Sequence, residues 1–235
     1  MKNTAWGNLL RPLFKLFIAL LATIFVLWLI REDVELNHGI VENGYVETAQ
    51  IVFCALSAVF AGLAARRSRE FGRVLVLLAL TFLAMFFREL DDVLDKLIVH
   101  GAWKLFALPL GGVFALLAFR RFRETVESAE ALLETPAGRH MEIGFIILLG
   151  FSRVMGSKLI WNHLISQNAF QDIQVLKDIP ITPEAFGYLS RAAKNAVEEG
   201  LELFAYMLIF LALAEILWTG FRTAREESRK PNRLP

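Results

Sequence analysis

The amino-acid sequence predicts an all-α fold, a polytopic membrane bundle of six transmembrane helices with both termini on the cytoplasmic side. Three observations predict it. Apolar residues make up 56% of the 235-residue chain and the mean hydropathy is +0.49, above the roughly 45–50% apolar content of soluble domains. Those residues fall in blocks near 20 residues long, the length that crosses about 30 Å of hydrocarbon at 1.5 Å per residue. Lysine and arginine gather in short clusters between alternate blocks.

The first block covers about 13–30 and follows Lys2, Arg11 and Lys15. A secretory leader begins similarly. Here Trp28-Leu29-Ile30 leads straight into Arg31-Glu32-Asp33 with no small-residue cleavage site, so a retained span is expected. The second block, about 46–65, is followed by Arg66, Arg67, Arg69 and Arg73, and the third covers about 74–95. The fourth, about 102–119, precedes Arg120, Arg121 and Arg123. The fifth covers about 143–163. The sixth, about 196–218, precedes Arg222, Arg225, Arg229 and Lys230. All the basic clusters fall on one side, and the positive-inside rule makes that side the cytoplasm. A bacterial inner membrane is the expected location. Residues 1–235 read as a single integral membrane domain, without repeats or low-complexity linkers.

The connections add detail. Residues 124–139 read as a solvated helical extension of the fourth span, with acids every three or four residues and Pro136-Ala137-Gly138 ending it. Thr182-Pro183-Glu184 is a helix start, with Thr182 as cap and Pro183 in the first position. The last helix is therefore expected to begin outside the membrane and run in unbroken. Gly111-Gly112 beside Pro109, and Ala58 with Gly62, read as a kink and as places of close helix approach. Such contacts could be within the chain, in a homo-oligomer or with a membrane partner.

Charge inside the blocks carries the functional expectation. The third block has only fourteen uninterrupted apolar-type residues (74–87) before Arg88 and Glu89, with Asp92 close behind. The fifth contains Arg153, expected near the midplane, and Lys158. The sixth begins its apolar run just after Glu202. Ionised groups at such depth are expensive and face one another rather than lipid. Helical spacing agrees: Glu47, Gln50, Cys54 and Ser57 share a face of the second helix, and Asn195, Glu198, Glu199, Glu202 and Tyr206 share one of the sixth. The sequence thus predicts an outward-facing acidic pocket lined by Glu47, Gln50, Glu89, Asp92, Glu198 and Glu202, with Arg88, Arg153 and Lys158 as counter-charges. Arg153 is expected to be buried and paired with Glu202, or failing that with Glu89.

Such a pocket would bind an ion or small molecule, as in a transport step. Two other readings stand beside it. The charges could only lock helices together in a structural or interaction subunit. Alternatively, a divalent cation held by Glu47, Glu89, Glu202, His100 and His163 could serve a metal-dependent membrane hydrolase. The layout is similar in outline to the multi-span hydrolases that include alkaline ceramidases and adiponectin receptors; their H-x-x-x-H pair is absent here. The single cysteine, Cys54, excludes an intramolecular disulfide. The net charge of +1 and the short arginine clusters give no stripe for nucleic acid. The lipid bilayer is the expected partner.

Overall fold

Helix formation follows directly from the apolar blocks, because a backbone in lipid must satisfy its own hydrogen bonds. A computed structural model describes residues 5–37, 44–68, 70–157, 160–161 and 183–228, and every regular element among them is helical. In chain order these are α1 (Ala5–Asn37), α2 (Tyr45–Arg67), α3 (Gly72–Glu89), α4 (Asp91–Leu97), α5 (Trp103–Arg120), α6 (Phe122–Glu134) and α7 (Pro136–Ile146). A π-helical segment (Ile147–Phe151), α8 (Ser152–Met155) and α9 (Pro183–Ser228) complete the described order. Among the described residues, four stretches are long and apolar enough to cross a membrane: Pro12–Leu36, Tyr45–Arg67, Trp103–Arg120 and Arg191–Arg222.

The chain divides into two compact units. The first takes residues 1–47 and 146–204. In it, α1 buries the stripe Ala22, Val26, Leu29 and Asp33, at the i, i+4, i+7, i+11 spacing of one helix face. Many of its other large apolar side chains, Leu13, Phe14, Leu20, Ile24 and Leu27 among them, are exposed. A soluble protein seldom exposes so continuous an apolar surface, whereas lipid accepts it. Gly200 lets α9 approach α1 closely: a Cβ there would lie 2.7 Å from Ile30 Cδ1.

Asp33 is fully buried and acts as an external cap for α2, accepting the Tyr45 N–H at 2.7 Å and the Val46 N–H at 2.9 Å. Gly44, just before α2, has no side chain to supply that cap. A Cβ on it would collide with the Asp33 carboxylate at 2.8 Å. An anion at a helix N-terminus satisfies otherwise orphaned donors and complements the helix dipole.

The second unit takes residues 48–145 and 205–235. Its core includes Cys54, Ala61, Ala64, Leu75, Phe82, Tyr206, Ile209 and Leu213. Phe210 of α9 meets Phe53 and Phe60 of α2 edge-on, with centroids at 5.5 and 5.0 Å. Phe87 of α3 stacks on Phe106 of α5 at 4.6 Å.

Several local expectations change. Residues 124–139 do not extend the fourth span. α5 ends at Arg120, Arg121 leaves helical geometry (φ −141°, ψ 57°), and α6 begins at Phe122. Pro136 starts α7 instead of merely ending α6, because Thr135 Oγ1 accepts the Gly138 N–H at 2.9 Å. Gly138 is required there, since a Cβ would overlap the Leu132 carbonyl. Gly62, Gly111 and Gly112 have nothing within 4 Å of an added Cβ, so no described neighbour approaches closely at these glycines. The third block is broken at Leu90 into α3 and α4, and the fifth leaves helix at Gly156 after the π-helical segment. α9 does start at Pro183 and runs for 46 residues without a break.

Candidate functional site

Apart from Asp33 at the start of α2 and Ser128 on α6, each unit holds a cluster of charged and polar side chains around a buried carboxylate. In the first unit the cluster forms where α8 meets α9. The π-helical turn at Ile147–Phe151 inserts an extra residue into the helical register. Arg153 follows two residues later, near the end of the helix, where its side chain is 47% exposed and not buried as expected. The break at Gly156 explains the difference: the side chain leaves from a helix terminus, and its guanidinium reaches the Glu202 carboxylate. Nη2 pairs directly with Glu202 Oε1, the favoured partner, and Nη1 lies 3.7 Å from Glu198 Oε1. Lys194 Nζ donates to Glu198 Oε2 at 2.7 Å, across one turn of α9. Gly156 packs so closely on the Glu198 carboxylate that a Cβ would overlap it. Two cations and two carboxylates balance, with Glu202 only 2% exposed.

The second unit holds the other cluster. Glu89, 9% exposed at the last turn of α3, accepts a hydrogen bond on Oε1 from the Tyr206 hydroxyl at 3.0 Å. Arg88 Nη1 donates to the same oxygen at 3.1 Å, from a side chain that is 47% exposed. Tyr206 is fully buried, as is Cys54 of α2. One turn away on α2, Ser57 is fully buried, with no partner for its Oγ among the described residues. A buried carboxylate is thus hydrogen-bonded to a buried phenol.

The other expected site residues are placed as follows. Gln50 is fully buried on α2 and Glu47 half-buried. Asp92 pairs with Lys96 at 2.5 Å along α4. His100 Nδ1 lies 2.6 Å from Asp95 Oδ2, its side chain 97% exposed. Lys158 and His163 lie outside the described residues. Among the described residues, no three His, Cys, Asp or Glu side chains form a group able to hold a metal ion. Within their own units, then, Arg153 joins Glu198 and Glu202, and Arg88 joins Glu89.

Sequence reasoning missed Asp33 and Lys194. Signals for both were present. A glycine before Tyr45 cannot cap α2, which calls for a cap from elsewhere, and Lys194 with Glu198 has the i, i+4 spacing of a helical ion pair. No protein-family model, curated protein or solved structure matches this chain.

Proposed function

We propose that this chain is an integral membrane protein of six crossings with both termini in the cytoplasm of a bacterial cell. We further propose that it binds a proton or small cation at an outward-facing carboxylate site centred on Glu89, as one step of an ion-coupled transport process. The positive-inside distribution of the arginine clusters supports the orientation. α3, at 18 residues, spans about 27 Å, enough for a fifth crossing in a bilayer that adapts slightly. The helical run from Pro136 to Met155 supplies the sixth.

The observation that carries the functional reading is the Glu89–Tyr206–Arg88 arrangement. A buried carboxylate in lipid needs either a counter-charge or a proton. Glu89 has a counter-charge whose own side chain is half exposed, so Arg88 can swing away when a proton or cation replaces it. The Tyr206 hydroxyl keeps one carboxylate oxygen oriented in either state. Infrared difference spectra of the purified protein across a pH titration, with and without sodium, calcium or magnesium, test this. The expected result is a carboxyl band that changes with pH or cation in the native chain and is lost in Glu89→Gln. An unchanged difference spectrum in Glu89→Gln overturns it.

A second reading, that intramembrane charges only lock helices, is favoured by the other cluster, where Arg153 and Lys194 neutralise Glu198 and Glu202 directly. We assign it to that cluster. Metal content of the purified protein before and after chelation tests the remaining alternative, a metal-dependent hydrolase.

A further inference from the structure

We propose that α6 is an interfacial helix that lies along the membrane surface and sinks one apolar face to the level where headgroups meet acyl chains. The first observation is its direction. A coaxial continuation of α5 would carry residue 128 about 12 Å beyond the end of the span, at 1.5 Å per residue over eight residues. Instead the Ser128 hydroxyl donates to the Glu70 carbonyl at 3.0 Å and accepts the Val74 N–H at 3.4 Å. Arg73 Nε pairs with Glu124 Oε2 at 2.9 Å. α6 therefore packs against the start of α3 at the end of the bundle, with Ser128 and Leu132 as its buried face.

The second observation is what the other faces present. Phe122, Val126, Ala129 and Leu133 recur at i, i+4, i+7, i+11 and form one stripe. Phe122 is 61% exposed, Val126 47% and Leu133 46%. Glu127, Glu130 and Glu134 form a separate exposed stripe. An apolar face, a packed face and an acidic face are what a helix needs to rest on a bundle with one side in lipid and one in water.

Continuity names the occupant. None of the apolar window of α5 is buried within the protein, so that helix faces lipid on all sides left open by α3. Phe119 of α5 stacks on Phe122 of α6, centroids 6.4 Å apart. The lipid-facing surface of the span thus runs onto the apolar stripe of α6 without interruption. Arg120, Arg121 and Arg123 are exposed at the junction, at the depth where phosphates lie.

Spin labelling tests this, independently of any ion site. In a Cys54→Ala chain reconstituted into phosphatidylcholine–phosphatidylglycerol vesicles, Val126→Cys, Leu133→Cys, Glu127→Cys and Glu130→Cys each take one nitroxide. All four positions are exposed, so labelling leaves the packed face intact. Labels at 126 and 133 should show a ratio of oxygen to aqueous-nickel accessibility at least about threefold above labels at 127 and 130, as expected for a face buried in the interface. Equal ratios at all four positions would overturn the proposal in favour of a solvated helix. Low access to both reagents at 126, with spin–spin broadening between chains, would overturn it in favour of a second copy.

Discussion

Glu202 and Glu89 are both carboxylates withdrawn almost wholly from solvent, at 2% and 9% exposure, yet they sit in different electrostatic company. Glu202 belongs to a network in which Arg153 bridges two acids and Lys194 holds the second, four formal charges summing to zero. Nothing there changes without leaving a charge uncompensated. Glu89 accepts from the half-exposed Arg88 and from the neutral Tyr206 hydroxyl. On the proposed reading its charge is exchanged, because a proton on Glu89 would still leave the Tyr206 oxygen as a partner. On that reading the difference separates a structural acid from a functional one. Arg153 and Arg88 are equally exposed, so what separates the two acids on the proposed reading is the charge network in which Arg153 also faces Glu198 and Lys194 holds Glu198.

Removing the counter-charge should break this comparison most sharply. Arg153→Ala leaves Glu202 unpaired in a buried setting and should destabilise the protein by about 3 kcal/mol, the lower end for a broken buried pair because the arginine side chain is half exposed. Arg153→Met with Glu202→Met should recover most of that loss. Unfolding in mixed micelles followed by circular dichroism measures both, and a destabilisation under about 1 kcal/mol in Arg153→Ala would remove the lock assignment.

Next in size is Asp33→Ala, expected to cost about 2 kcal/mol by orphaning the part-buried Tyr45 and the buried Val46 N–H groups, with Asp33→Asn milder. Amide exchange in the first turn of α2 should accelerate in Asp33→Ala while the last turn of α9 does not change.

Tyr206→Phe should cost about 1 kcal/mol, the net worth of one hydrogen bond. It should also shift the carboxyl band assigned to Glu89, which a purely packing role for the phenol would leave in place. Glu89→Gln should change stability least at this cluster, by less than about 1 kcal/mol, since the amide still accepts from Tyr206. Its effect should appear instead as lost ion response. If Glu89→Gln were as destabilising as Arg153→Ala, the two clusters would have the same role and the comparison would fail.

The smallest effect is expected for Lys194→Ala, about 0.5 kcal/mol, because the ion pair with Glu198 runs along one helix and Arg153 continues to face that carboxylate.

Much was legible in the chain. Apolar blocks report helices because lipid leaves the backbone no other partner, and Thr182-Pro183 reports the start of α9 because proline at that position lacks only a donor that would be orphaned anyway. The pairing of Arg153 with Glu202 was also readable, since a charge of each sign at membrane depth must find the other. The helix breaks at Arg121, Leu90 and Gly156 were not. Each depends on how a segment packs after leaving its span, as when Ser128 bonds to Glu70 and Val74. The sharing of Tyr206 with Glu89 and the capping of α2 by Asp33 were likewise decided by tertiary structure. Periodicity along one helix fixes which residues share a face, but it carries no information about which face of another helix, or which free N–H group, that face will meet.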